Sequence, residues 1–163
     1  MNELNKSDTG SEVQIVIFKQ GHEEYALSAR YAGTVIKTPP ITKMPQAPRY
    51  IKGMTSIDGR MVAIIDLEEK FNSKVRHSLV PDYTFMAENE EFKIGILVSE
   101  IPKVISVAAE NIDESLSRIN STFNAVNYIR GIVRVDGRLV PLIDIFKVLD
   151  NDLITMFKRH TAA

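Results

Sequence analysis

The chain has 163 residues, 44% hydrophobic and 25% charged, which is enough apolar material for one domain or two small ones sharing a core. Twenty Lys and Arg against 21 Asp and Glu leave a formal charge of −1, so no basic excess points to nucleic acid or an acidic membrane surface. With no cysteine, a disulfide framework, a thiolate nucleophile and a cysteine-ligated zinc site are all excluded.

Residues 1–12 are polar and mixed in charge, which predicts a disordered tail. They lack the basic start and apolar run of a secretory signal. No stretch approaches the roughly 18 apolar residues that cross a bilayer, so direct membrane insertion is not expected and the cytoplasm is the expected compartment. Val13 to Phe18 is an apolar, β-branched run. A turn at Gln20-Gly21-His22-Glu23 and a return strand from Tyr25 complete a predicted hairpin. Pro39, Pro40, Pro45 and Pro48 then exclude a helix or a central strand and predict a shaped loop or an edge.

Residues 50–67, YIKGMTSIDGRMVAIIDL, return 78 positions later as residues 128–145, YIRGIVRVDGRLVPLIDI. Nine of the 18 positions are identical, including Tyr50/Tyr128, Gly53/Gly131, Asp58/Asp136, Gly59/Gly137, Arg60/Arg138 and Asp66/Asp144. Chance would give about one or two matches, so the chain carries an internal duplication. Asp-Gly between two β-branched runs predicts a two-residue hairpin loop, because Gly takes positive φ freely and Asp tolerates it. That loop sets Ile57 opposite Arg60, Thr55 opposite Val62 and Val135 opposite Arg138. Both faces of these strands are largely apolar, which suits a small barrel packed on a second unit better than a one-sided sheet.

Each repeat ends in an Asp before helix-compatible sequence. Asp66 with Glu69 fits a capping box, and Asp144 begins a similar stretch from Ile145 to Leu149. The remainder of the halves agrees more loosely. Glu24-Tyr25-Ala26-Leu27 matches Glu91-Phe92-Lys93-Ile94, and Tyr83 to Met86 matches the first strand, with Glu88-Asn89-Glu90 as its turn. Residues 110–127 are predicted to be a long connection with one short helical turn. Asp152 to Arg159 is predicted to be a C-terminal helix with Lys158 and Arg159 at its dipole-favoured end.

Convergent chemistry is missing. His22, His77 and His160 fall in a turn, a linker and a tail without metal-ligand spacing, and there is no glycine-rich phosphate loop. Neither Ser56 nor Ser99 sits in a nucleophile elbow. The duplicated Asp58 and Asp136 bring to mind the proton-sharing carboxylates of aspartic proteases. Those enzymes place a small hydroxyl residue between Asp and Gly, whereas here Asp precedes Gly directly and turn chemistry accounts for it. Capping accounts equally for Asp66 and Asp144. No enzyme activity, cofactor or metal is expected.

Pro39-Pro40-Ile41-Thr42, then Pro45, Pro48, Tyr50-Ile51-Lys52-Gly53 and Gly59 to Leu67, followed by Ile129 to Ile145, resemble the CheW family of chemosensory adaptors and the related regulatory domain of the CheA histidine kinase. The likeness runs over about residues 13–149, and its order and spacing are more specific than any one motif. It implies an all-β fold of two SH3-like five-stranded barrels related by the duplication, with short helices after each repeat. Subdomain one is expected at about 13–75, subdomain two at about 80–149, and a C-terminal helix and tail at 150–163. It also implies a non-enzymatic scaffold between the cytoplasmic tips of chemoreceptors and a CheA-type kinase regulatory domain.

By the same resemblance, receptor contacts are expected at Ala32, Thr34, Gly53, Ile57, Asp58, Gly59 and Arg60, and kinase contacts at Val35, Ile36 and Lys52. Gly53 and Gly59 also have a purely backbone explanation, and Ile57, Val35 and Ile36 a core one. Arg60 is not required by the turn. Two positions depart from the family pattern, which often has Arg where Asp58 stands and an acid where Thr34 stands. Arg60 takes over the missing guanidinium, or the receptor has compensated, or the adaptor serves another assembly such as a pilus or surface-motility system. A double SH3-like peptide-binding module is the other alternative, against which the absence of Trp and the 7% aromatic content count.

Overall fold

A computed structural model of the chain describes residues 11–71, 83–115 and 128–149. The tail before Ser11, the connection beyond Ser115, the expected helix at Asp152–Arg159, His77 and His160 lie outside the described residues. The first predicted hairpin is β1 (Glu12–Gln20) and β2 (Glu23–Ser28), joined at Gly21, whose φ of 64° needs glycine's freedom. A 3-10 turn at Ala29–Tyr31 leads into β3 (Ala32–Lys37). The repeated hairpin follows as β4 (Ile51–Ile57) and β5 (Arg60–Ile65), and α1 (Leu67–Phe71) closes the half. The second half runs β6 (Tyr83–Glu88), β7 (Lys93–Val98), β8 (Lys103–Ala108), β9 (Ile112–Asp113), β10 (Ile129–Val135), β11 (Arg138–Ile143) and α2 (Ile145–Val148).

Both Asp-Gly loops form as predicted. Asp58 and Gly59 have φ of 52° and 78°, Asp136 and Gly137 of 47° and 80°, the mirror-image turn whose twist matches its strands. Thr55 pairs with Val62, Ile57 with Arg60 and Val135 with Arg138. The caps form too. Asp66 Oδ1 accepts from the amides of Glu68 and Glu69 at 2.9 and 3.2 Å, and Asp144 Oδ1 from that of Phe146 at 3.1 Å. The reciprocal arm of the capping box is absent. The Asp66 amide donates to the Tyr50 carbonyl at 2.7 Å, and Glu69 instead accepts from Lys52 Nζ at 2.6 Å.

The strands form two sheets, ordered β8-β1-β2-β11-β10-β9 and β3-β6-β7-β5-β4. Each half, 13–75 and 80–149, lends its first hairpin to the sheet of the other. Parallel pairing of β2 with β11 and of β7 with β5 makes the exchange. Periodicity did not reveal it because the duplicated hairpins offer nearly identical partners. The five-stranded barrel is closed by the proline segment, with Thr42 bridging Met54 and the Thr55 hydroxyl donating to the Pro40 carbonyl at 2.9 Å.

The pairing also fixes which residues correspond across the duplication. Ala26 lies opposite Leu142 and Gly95 opposite Ile64, and Leu142 and Ile64 are repeat equivalents. Ala26 therefore corresponds to Gly95 and Glu24 to Lys93. The sequence match of Glu24 with Glu91 was two residues out, because it followed side-chain likeness instead of strand register.

Ile15, Ile17, Ala26, Val140 and Leu142 fill the six-stranded barrel. Val62, Ile64, Met86 and Leu97 fill the five-stranded one, which is less apolar because buried Thr84 and Gly95 stand where the other has Ile15 and Ala26. The largest cluster joins the two. Val16, Phe18 and Leu27 of one barrel meet Phe85, Ala87 and Ile96 of the other, with Leu67, Ile145 and Val148 from the helices. Consecutive residues such as Val16 and Ile17 face different cores, which is why both strand faces read as apolar. Rings run through this layer from Phe85 through Phe18, Tyr25 and Phe71 to Tyr128, with successive centroids 5.1–6.2 Å apart. The buried Gln20 side chain donates to the Leu97 carbonyl at 2.7 Å, tying β1 to the opposite barrel.

Candidate interaction surfaces

The expected receptor residues come from β3 and the β4–β5 hairpin, the two edges of the five-stranded sheet. Thr34, Asp58, Gly59 and Arg60 are exposed. Ala32 and Ile57 are half-buried, Ile57 packing on the barrel interior and Ala32 on the layer between barrels. Gly53 is not at the surface. It is buried at φ 145°, with the Thr42 carbonyl in the place a side chain would need. Of the expected kinase residues, Val35 leans on the inter-barrel core and Ile36 is half-buried. Both lie on β3, which has β6 on one side and, among the described residues, no strand on the other. Lys52 is half-buried and its ammonium is committed to Glu69.

Register carries these positions onto the other barrel. Val104 pairs with Val16 as Val35 pairs with Phe85, so Lys103 corresponds to the Gly33–Thr34 bulge just before Val35. Lys103, Val135, Asp136 and Arg138 all line one groove of about 510 Å³ at the six-stranded barrel, together with Lys19, Glu24, Glu100 and Ile101. The residues singled out at 34 and 57–60 thus occupy the corresponding rim of the five-stranded barrel. Sequence reasoning missed the second rim. The only signal for it was the duplication itself, once β8 is aligned with β3. Met61 and Leu139, repeat equivalents just beyond each Arg, are both exposed apolar side chains.

The two rims differ in charge. Arg138 grips Glu24 with two bonds, Nε to Oε1 at 2.6 Å and Nη2 to Oε2 at 3.3 Å, and its Nη1 lies 3.8 Å from Asp136. The Arg138 hydrogen bond, helped by the nearby charges of Arg138, Lys19 and Lys103 and opposed by partial burial, holds the Glu24 carboxyl below its usual range. Because the folded value is depressed, the contribution of this pair is complete above the ordinary carboxylate pKa and is lost as pH falls through the lower folded one. In an NMR titration of the side-chain carboxyl, Arg138→Met is expected to raise the Glu24 midpoint toward the ordinary value. An unmoved midpoint would contradict the pairing.

Among the described residues, no three His, Asp or Glu side chains gather where they could hold a metal ion. Asp58 and Asp136 each serve a turn, and they belong to different barrels.

The family model for the CheW-like domain matches residues 14–153. The chain belongs to the CheW-like domain family. Its similar relatives include the chemotaxis protein CheW of Rhizobium meliloti, 22% identical over 152 residues, spanning 93% of this chain and 97% of that protein. The chemotaxis protein CheW of Klebsiella aerogenes is 27% identical over 139 residues, covering 85% of this chain and 82% of its own. The crystal structure of the scaffolding protein TtCheW from Thermoanaerobacter tengcongensis superimposes with a TM-score of 0.74 at 24% identity, over 87% of this chain and 96% of that one. That likeness establishes the CheW-like double-barrel fold.

Proposed function

We propose that this CheW-like chain is a non-enzymatic cytoplasmic adaptor that couples the cytoplasmic tip of chemoreceptors to the regulatory domain of a CheA-type histidine kinase. The observation that carries the reading is the family match across nearly the whole described chain, from residue 14 onward. The geometry supports it with two features of the five-stranded barrel. One is the β3 edge with Val35 and Ile36, suited to strand-edge docking. The other is the rim with Thr34, Ile57, Asp58, Gly59 and Arg60, which serves the receptor. Ala32 borders both. Asp58, where the family often has Arg, is accounted for by its positive φ, and Arg60 supplies the guanidinium two residues on.

Calorimetric titration of the purified chain with the regulatory domain of its host's chemosensory kinase tests the kinase arm. Saturable one-to-one binding is expected, and Arg60→Glu is expected to leave it within about twofold while weakening binding to a receptor-tip fragment about tenfold or more. No binding of the unmodified chain to either partner would refute the adaptor reading.

A further inference from the structure

The duplication gives both barrels the same Asp-Gly-Arg tip, but the two arginines have different fates. Arg138 is held by Glu24 in a two-bond clamp. Strand register places Lys93 at the position in the five-stranded barrel that Glu24 occupies in the other. The cross-strand neighbour is inverted as well, Lys19 opposite Glu24 becoming Glu88 opposite Lys93. The Asp-Gly-Arg tip is unchanged. Arg60 therefore has a cation where Arg138 has a carboxylate. Among the described residues, the side chains of Arg60 and Lys93 make no hydrogen bond or ion pair.

We infer that Lys93 is a specificity-determining residue: by standing where a carboxylate would capture Arg60, it keeps that guanidinium open and joins it in a two-cation docking point for an acidic segment of the receptor tip. The inference rests on the adaptor reading for the identity of the partner. Its physical core does not. An arginine with an internal carboxylate in reach spends its fork geometry on that partner, and an incoming carboxylate must then displace a charge-assisted pair. With lysine instead of a carboxylate at that register position, the same arginine keeps its fork geometry for an external carboxylate. The same Asp-Gly-Arg tip is thus electrostatically closed on the six-stranded barrel and open on the five-stranded one.

The test is Lys93→Glu, which rebuilds the Glu24 clamp around Arg60, with Lys93→Gln as a variant that removes the charge without supplying a carboxylate. Nitrogen-15 NMR of the arginine side chains reads the clamp with no partner present. In the unmodified chain the Arg138 Nε–H is expected to exchange slowly and the Arg60 Nε–H rapidly. In Lys93→Glu both are expected to be slow, and in Lys93→Gln Arg60 is expected to remain fast. Titration with a fragment of the host's receptor tip reads the consequence. Lys93→Glu is expected to weaken binding about tenfold or more and to flatten its salt dependence, with Lys93→Gln falling between it and the unmodified chain. A slowly exchanging Arg60 in the unmodified chain, or receptor binding unaffected by Lys93→Glu, overturns the inference. If the unmodified chain does not bind the tip, the adaptor reading and the choice of partner fail together, while the exchange rates still decide whether Lys93 keeps Arg60 open.

Discussion

Phe85→Ala is expected to destabilise the entire chain by about 3–5 kcal/mol, the range for a large aromatic removed from a core. Phe85 is 1% exposed and lies in the layer that joins the barrels, with its ring 5.6 Å from that of Phe18. That layer is the largest apolar cluster, and both helices plug into it. The barrel interiors are smaller, and the five-stranded one contains buried Thr84 and Gly95. Each barrel contains a hairpin from the other half. The loss should therefore appear as one transition. Denaturant unfolding followed by far-ultraviolet circular dichroism and by tyrosine fluorescence is expected to give coincident curves, both shifted to lower midpoint in the variant. Two separated transitions, or a loss confined to one probe, would show that the barrels fold independently.

Gly53→Ala is expected to cost on the order of 3 kcal/mol, since strain at a glycine-only backbone conformation adds to overpacking. The φ of 145° is one that side chains rarely adopt, and a Cβ would meet the Thr42 carbonyl and come within 2.7 Å of Ile41 Cγ2. Those atoms belong to the segment that closes the five-stranded barrel, so they cannot retreat without opening it. Gly59→Ala is the matched control. Its φ is 78°, but nothing lies within 4 Å of the added carbon, so only the left-handed backbone penalises it, by about 1–2 kcal/mol. Thermal unfolding of the two variants should separate them by several degrees. Equal losses would mean that the Thr42 crossing contributes nothing. Gly53 and Gly131 share this device, since a Cβ at Gly131 would lie 2.7 Å from the Asp113 carbonyl. A crossing of backbone accounts for their repetition.

What was legible in the sequence was local. The Asp-Gly loops, their register and the Asp66 and Asp144 caps depend on a few neighbouring residues whose conformational preferences are strong by themselves. Glu69 shows where that reach ends. Its spacing from Asp66 fits a capping box, but Lys52, 17 positions earlier, brings an ammonium to 2.6 Å and takes the carboxylate. A charged partner supplied by another strand outweighs a local hydrogen bond that the Tyr50 carbonyl already replaces.

By itself the sequence determined an all-β chain, its duplication, two hairpins with fixed loops and a helix start after each, because turn chemistry and side-chain alternation act over a few residues. The tertiary structure decided which barrel each hairpin joins, that Glu24 corresponds to Lys93, that Gly53 is covered, and that Arg138 is gripped while Arg60 is open. Two near-identical repeats present equivalent pairing edges, so no local preference distinguishes one partner from the other. Only the joint burial of Val16, Phe18 and Leu27 against Phe85, Ala87 and Ile96 selects the exchanged arrangement.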